Sequence, residues 1–226
     1  MLTIKKKQLQ RNALNDYSND RIPKGVEIGG DFAGANFSNT EMRGVIIALA
    51  DLRDADFTGA KLTGAKITRV NFEGACFRGA SLIKAHLFMV NLDKADLSDT
   101  YLTGFSLLKS RARRANFQNA QLTSSILKGT TFFRANMSGI KFSRVDLQGA
   151  RFKRAKFGNS RFEDCDLDDV NFTYADLSKV TNKMNADFNL ARTKGAKLSK
   201  KILDIAQMGH DQAERQEVSK REVYKY

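Results

Sequence analysis

Residues with catalytic or metal-binding chemistry are few in this chain and stand far apart. The two histidines, His86 and His210, belong to distant parts of the sequence, and neither has a cysteine or carboxylate at the spacing of a zinc ligand. The two cysteines, Cys76 and Cys165, are distant as well. The sequence contains no glycine-rich phosphate loop, nucleophile elbow or HExxH motif. We therefore expect no enzymatic activity, no metal and no cofactor.

Anion binding is the chemistry that the sequence does offer. The 226 residues carry a net charge of +13, and this charge is unevenly distributed. Residues 31–99 have eight basic and nine acidic residues, whereas residues 105–161 have 13 basic residues and one acid, Asp146. Residues 163–176 then have six acids and no base. Cations at such density repel one another, so the basic stretch indicates that an anionic partner binds there or that its field matters.

The element that positions these charges is a repeat of five residues. From Phe32 to Leu177 an apolar residue recurs every fifth position, 30 times without an insertion, with Ala112 as the one small member. Alanine stands two places before it in 15 of the 30 units. This period matches neither a helix nor a flat strand, and it indicates a stacked repeat architecture.

A five-residue unit is too short to bury its own apolar residue, so it must form one side of a coil that stacks on others. Four sides make a coil of 20 residues, and the sequence supports this length. Phenylalanine dominates the positions that follow Phe37 at 20-residue steps and is absent from those that follow Ile47. Asp or Asn before the central residue and Gly two places after it suit the corners, where a turn and a positive φ are needed.

The stretch Ala50-Asp51-Leu52-Arg53-Asp54-Ala55-Asp56-Phe57-Thr58-Gly59-Ala60-Lys61-Leu62-Thr63-Gly64 contains three copies of the unit in a row. This pattern resembles the pentapeptide-repeat family, and the resemblance extends over about residues 30–198. It implies that family's fold, an all-β solenoid in the form of a right-handed quadrilateral β-helix. Seven and a half coils at the spacing of neighbouring strands would give a rod about 36 Å long.

The two ends differ from the repeat. We expect residues 1–29 to cap the first coil, residues 30–198 to form the β-helix with a register slip near 181–185, and residues 199–226 to form a helical tail. In the tail, Ile202, Ile205 and Ala206 fall on one helix face. This face either covers the last coil or, by the resemblance to members that protect topoisomerases, joins two rods into a homodimer.

Stacking at 20-residue steps places seven of the 13 cations of residues 105–161 on one side of the rod. We call this set the arginine block, and it consists of Arg111, Arg113, Arg114, Arg134, Arg151, Lys153 and Arg154. Phe133 lies among them. Because arginine favours specific contacts with anions, we expect the arginine block to bind an anionic partner.

Another side carries apolar residues at outward positions. We call this set the apolar patch, and it consists of Ile46, Leu49, Phe88, Met89, Leu108 and Ile126. Six such residues on one face, at positions where the repeat is usually polar, predict a contiguous patch that meets a partner or the terminal segments of the chain, and we favour contact with a protein partner.

These features favour a non-enzymatic interaction protein, a rod that binds macromolecular partners through the arginine block and the apolar patch. Modulation of gyrase by imitation of DNA, a role the resemblance suggests, needs an acidic rod and is disfavoured by the basic charge. Nucleic-acid binding by the arginine block, without sequence preference, is a third interpretation.

The longest apolar run, Val45–Ala50, is far shorter than the roughly 18 residues of a membrane span. The first residues lack a signal sequence, so we expect a cytoplasmic protein without a membrane segment.

Overall fold

Each five-residue unit folds into a short extended stretch and a tight turn. The computed structural model describes residues 3–5, 15–182, 187–200 and 202. In the turn, the Asp or Asn before the central residue accepts a hydrogen bond from an amide two residues on, as Asp56 Oδ1 does from the Thr58 amide at 2.8 Å. The next residue has a positive φ, which is 67° at Gly59. Together these two local features turn the chain through a corner.

Successive coils pair in parallel, and most partners are 20 residues apart, as in Asp56↔Cys76 and Cys76↔Asp96. The named elements are β1 (Thr3–Lys5), β2 (Glu27–Asp31), β3 (Ile46–Asp51), β4 (Lys66–Thr68), β5 (His86–Phe88), β6 (Ser106–Leu108), β7 (Lys141–Ser143), β8 (Arg161–Glu163), β9 (Asp176–Leu177), β10 (Thr181–Asn182), the 3₁₀ turn η1 (Phe188–Leu190) and β11 (Lys197–Leu198). Strands β1 to β6 form one sheet, β7, β8 and β10 a second, and β9 and β11 a third. The predicted quadrilateral β-helix is confirmed.

The core consists of the central residues, which point inward from the four sides and form one column on each side. We name the sides after their first central residues, the Phe32, Phe37, Met42 and Ile47 sides, and each continues at 20-residue steps. All 30 central residues are at most 2% exposed. Between neighbouring coils, the rings of Phe37, Phe57 and Phe77 stack with centroids 5.1 and 4.9 Å apart. The core is therefore continuous along the axis.

Buried hydroxyl groups on the small inward positions join one coil to the next. Thr40, Ser125, Thr130 and Ser160 each donate a hydrogen bond to the backbone carbonyl 23 residues earlier, at 2.6–3.0 Å. Ser160 Oγ also accepts the Ile140 amide at 3.0 Å. These positions tolerate a polar residue because the stacked backbone provides its partner.

The coil begins before the recognisable repeat. Asp16 pairs with Asn36 and Arg21 with Glu41, and Tyr17 and Ile22 are buried beneath the Phe37 and Met42 sides. Residues 15–29, which the sequence assigned to a capping segment, thus form three further sides of the coil. β1 pairs with β2 at the open edge of this coil on the Ile47 side.

The pairing offset increases by one residue near the end of the chain. Thr181 pairs with Arg161 at 20 residues, whereas Arg192 pairs with Asn171 and Lys197 with Asp176 at 21. Residues 183–186, which overlap the slip expected near 181–185, lie outside the described residues. The predicted C-terminal helix also lies almost entirely outside them.

Candidate anion-binding face

The structure places the whole arginine block on the Phe32 side. Bridges connect Asn91 to Arg111, Arg111 to Thr131 and Thr131 to Arg151, so Arg111 and Arg151 stand two coils apart in the same column. Arg113 and Lys153 follow the central residues of those two coils, and Arg114, Arg134 and Arg154 follow at the turns. All seven side chains are exposed. At about 4.8 Å a coil, the arginine block extends over about 10 Å of the axis.

Two of the seven cations already have an anionic partner, which sequence reasoning missed. Asp93, 4% exposed, accepts hydrogen bonds from Arg113 Nε at 2.9 Å, Arg113 Nη2 at 2.6 Å and the Arg113 amide at 2.8 Å. Arg111 Nε lies 3.2 Å from the same carboxylate and also donates to Asn91 Oδ1 at 2.9 Å. The bond to Asp93 raises the pKa of Arg113 above its ordinary value. The sequence feature that could have predicted this ion pair is the 20-residue spacing of Asp93 and Arg113, which makes them neighbours on adjacent coils.

The remaining five cations of the arginine block form no ion pair with a described acid: Arg114, Arg134, Arg151, Lys153 and Arg154. The acids of the Phe32 side lie on its earlier coils, and three of these five carboxylates have cations of their own. Asp51 pairs with Arg53 at 2.7 Å and Glu73 with Lys94 at 2.7 Å, while Asp93 holds Arg113. The Lys94 ammonium lowers the pKa of Glu73. The early part of this side is thus largely neutralised, and the late part is not.

Lys94 and three members of the arginine block form a ridge along one corner of the rod. We call Lys94, Arg114, Arg134 and Arg154 the cationic ridge, since they occupy the same turn position in four successive coils. Arg114, Arg134 and Arg154 have φ of 58°, 59° and 61°. The Arg114 amide donates to the Phe133 carbonyl at 2.8 Å, and the Arg134 amide to the Lys153 carbonyl at 3.1 Å, so hydrogen bonds fix the coil-to-coil register.

Aromatic rings lie beneath two of the ridge arginines. The Arg134 guanidinium carbon is 5.2 Å from the centroid of the Phe133 ring, and that of Arg154 is 5.9 Å from the Tyr174 ring. Tyr174 is 52% exposed. Its ring packs against Gly195 of the next coil, where a Cβ atom would lie 2.5 Å from two ring carbons. Cation–π contacts of this kind hold the guanidinium planes over the rings.

Two surface recesses lie on different sides of the rod. One of about 290 Å³ marks the boundary between the neutralised and the basic part of the Phe32 side, and it is lined by Glu73, Asp93, Lys94, Arg113, Arg114 and Phe133. A larger one of about 590 Å³ lies on the Met42 side near the start of the coil, and Arg21, Lys24 and Arg43 contribute its cations. No group of three or more His, Cys, Asp or Glu residues among the described ones is arranged to hold a metal ion.

The structure places the apolar patch on the Ile47 side but does not make it contiguous, because a coil with exposed Lys66 and Arg69 separates Ile46 and Leu49 from Phe88 and Met89. Ile46, Lys66, His86 and Ser106 occupy one column of the sheet, and Ser106 is bridged to Ile126. Leu49 is the most exposed member at 71%, Phe88, Met89 and Ile126 are exposed, and Ile46 and Leu108 are half-buried. The Lys109 ammonium lies 5.9 Å from the centroid of the Phe88 ring. Cations therefore interrupt this patch.

The acidic stretch and the C-terminal residues occupy other places. Glu163 lies on the Met42 side and contacts Lys141 at 3.2 Å, whereas Asp169 lies on the Ile47 side and contacts Arg192 at 2.6 Å. Ile202 is fully buried against the core. Ile205 and Ala206, predicted to share its face, lie outside the described residues. No helix in the described part of the chain is long and apolar enough to cross a lipid bilayer.

Models of known protein families match most of the chain. A model of pentapeptide repeats in eight copies matches residues 31–74, 48–82, 91–129 and 113–149. A second model, of pentapeptide repeats in nine copies, matches residues 132–181. No curated protein matches the sequence.

Solved structures similar to this chain include three pentapeptide-repeat proteins. HetL of the cyanobacterium Nostoc sp. strain PCC 7120, involved in heterocyst differentiation regulation, is 22% identical over 85% of this chain and 89% of its own, with a TM-score of 0.43. A trypsin-treated variant of QnrB1, a plasmid-mediated fluoroquinolone resistance protein, is 20% identical over 93% and 97%, with a TM-score of 0.49. Rfr23 of the cyanobacterium Cyanothece 51142 is 13% identical over 80% and 93%, with a TM-score of 0.24.

Proposed function

Because the chain belongs to the pentapeptide-repeat family, we propose that it is a non-enzymatic interaction protein whose rod binds macromolecular partners through its surface. The arginine block receives an anionic partner, and the apolar patch receives a protein. The observation that carries this proposal is the separation of charge on the Phe32 side. The acids of its early coils are mostly paired, while five cations of its late coils have no described acidic partner.

The row of arginines at one corner adds support for a binding role. A left-handed conformation is easiest for glycine, and non-glycine residues adopt it at a cost. Three successive coils nevertheless have arginine at this turn position, where neighbouring cations also repel one another. The left-handed backbone is common to all four corners of the rod, whereas the electrostatic cost is particular to this one, and binding of an anion would offset it.

Imitation of DNA stays disfavoured as the function. The acidic stretch is divided among the Met42, Ile47 and Phe37 sides, and at least two of its carboxylates contact cations of the chain itself. It therefore offers no continuous row of negative charges in place of phosphates.

Affinity capture from cell extract, with and without nuclease, tests the proposed function. We expect a variant with Arg114→Gln, Arg134→Gln and Arg154→Gln to lose partners that the wild type captures. A variant with Leu49→Ser and Met89→Ser should keep these partners and lose others. If both variants capture the same partners as the wild type, neither surface is a binding site.

A further inference from the structure

The cationic ridge differs from the other three corners of the rod. Among the described residues, no other corner has cations on successive coils at this turn position. Arg69, Lys84, Lys109 and Arg144 occupy it elsewhere, also with positive φ, but each stands between neutral or acidic neighbours in its column. A row of cations about 4.8 Å apart suits a ligand whose negative charges also form a row.

The aromatic rings indicate the class of that ligand. The guanidinium groups of Arg134 and Arg154 lie over the rings of Phe133 and Tyr174, so each pair offers a flat surface made of ring and guanidinium. Nucleobases stack on aromatic rings and on guanidinium planes, and this stacking is insensitive to sequence. The carboxylates of an acidic protein would bind the cations but leave these flat surfaces unused. The row of cations together with these flat surfaces favours a nucleic acid over an acidic protein as the ligand.

The shape of the surface distinguishes a single strand from a duplex. The ridge lies along an outer corner of the rod, and the described residues beside it include no helix that would enter a major groove. A duplex keeps its bases stacked inside and would offer the ridge only phosphates. A single strand can turn its bases towards Phe133 and Tyr174 while its phosphates follow the arginines.

We propose that the cationic ridge binds single-stranded nucleic acid. Arg114, Arg134 and Arg154, assisted by Arg151 and Lys153, contact the phosphates, and Tyr174 and Phe133 stack against bases. This inference rests on the proposed function because it uses the same face, and it identifies the anionic partner of that face.

Fluorescence anisotropy with a labelled oligothymidylate of about 15 nucleotides tests the proposal. A duplex of the same length and a poly-glutamate peptide of similar charge serve as the competing ligands. We expect the single strand to bind more tightly than either. Tighter or equal binding of the duplex or of the peptide would overturn the proposal, as would the absence of binding to all three.

Matched variants separate the ridge from general attraction to a basic protein. Arg114→Gln, Arg134→Gln and Arg154→Gln together should weaken binding at least tenfold. The control, Arg69→Gln, Lys84→Gln and Arg144→Gln, removes the same charge from the same turn position on other corners and should weaken binding far less. Equal loss in the two triple variants would contradict a site at the ridge. Circular dichroism should show that both variants keep the fold, since all six side chains are exposed.

A second pair of variants tests stacking. Tyr174→Ala should weaken binding about tenfold, a typical effect of losing one stacked base. Tyr101→Ala, which removes a tyrosine of similar exposure (45%) from the Met42 side, should have no effect. An unchanged affinity in Tyr174→Ala would overturn the stacking role. If no oligonucleotide binds but nuclease-resistant capture still depends on the ridge, the inference fails while the proposed function stands.

Discussion

At the scale of single residues, Asp93 determines how many cations of the arginine block face solvent without a partner. Its carboxylate is buried and receives both Arg113 and Arg111, which are themselves about half exposed. A carboxylate in this position orders the start of the basic surface and reduces its charge. The other five cations have no such partner among the described acids.

Replacement of Asp93 should therefore affect stability and binding in opposite directions. Asp93→Asn keeps the shape of the side chain but removes its charge, and hydrogen bonds to charged groups contribute about 1.5–3 kcal/mol each. We expect a loss of about 1–3 kcal/mol in the free energy of unfolding, measured by chemical denaturation. Affinity for oligothymidylate should rise, because Arg111 and Arg113 become available.

The control is Asp54→Asn on the same side. It changes the net charge equally, but Asp54 is exposed and forms no ion pair within the described residues. It should leave stability nearly unchanged. If Asp93→Asn weakened binding of the oligonucleotide, the view that Asp93 neutralises part of the face would be wrong.

The ion pair of Asp93 shows what the sequence leaves undetermined. A spacing of 20 residues predicts which residues become neighbours, and it correctly placed all seven members of the arginine block on one side. It does not predict which neighbours bond. Asp93 and Arg113 share a column with Glu73 and Phe133, and only side-chain rotamers and burial decide that Arg113 turns towards Asp93. The number of unpaired cations therefore required the structure.

At the scale of the coil, the stacked phenylalanines couple one turn to the next. Phe57 stacks between Phe37 and Phe77 with interplanar angles of 8° and 5°. The periodicity alone predicted this column, because in-register coils place equivalent residues above one another. Residues 15–29 were missed as part of the coil because Val26 and Ile28 stand one residue out of phase with the repeat, although Tyr17 and Ile22 keep its five-residue spacing.

Truncation within this column should be costly. Phe57→Ala should reduce the free energy of unfolding by about 3–5 kcal/mol, because it leaves a cavity between two rings that do not move together easily. Phe57→Leu should cost less than about 1.5 kcal/mol, since Leu97 occupies the same column in a later coil. Chemical denaturation measures both, and equal costs would contradict a tightly stacked column.

The buried hydroxyl groups permit a second test at this scale. Ser160→Ala removes the acceptor of the Ile140 amide and the donor to the Met137 carbonyl. An unsatisfied buried amide costs about 1–3 kcal/mol, so thermal denaturation should show a lower midpoint. Ser38→Ala, at a half-buried outward position of the Phe37 side, is the control and should change the midpoint little. A similar midpoint for both variants would show that the hydroxyl does not join the coils.

At the scale of the whole molecule, the distribution of charge distinguishes this rod from an imitation of DNA. We expect the protein neither to inhibit supercoiling by gyrase nor to protect gyrase from quinolones at stoichiometric levels. A surface that binds DNA is positive and would repel residues 105–161, which carry 13 basic residues and one acid. A gyrase supercoiling assay, run with and without a quinolone, measures both inhibition and protection. Protection that survives neutralisation of Glu163, Asp164, Asp166, Asp168 and Asp169 would show that charge is the wrong criterion.

The salt dependence of oligothymidylate binding tests most directly that the cationic ridge is the binding surface. For single strands, the logarithm of the binding constant falls with the logarithm of the salt concentration with a slope of about −0.7 per phosphate contacted. Loss of three phosphate contacts in the variant with Arg114→Gln, Arg134→Gln and Arg154→Gln should therefore reduce the magnitude of the slope by about 2 relative to the wild type. The control with Arg69→Gln, Lys84→Gln and Arg144→Gln should keep the wild-type slope. If the ridge variant kept the wild-type slope, or the control lost as much as the ridge variant, the phosphates would be bound elsewhere on the rod.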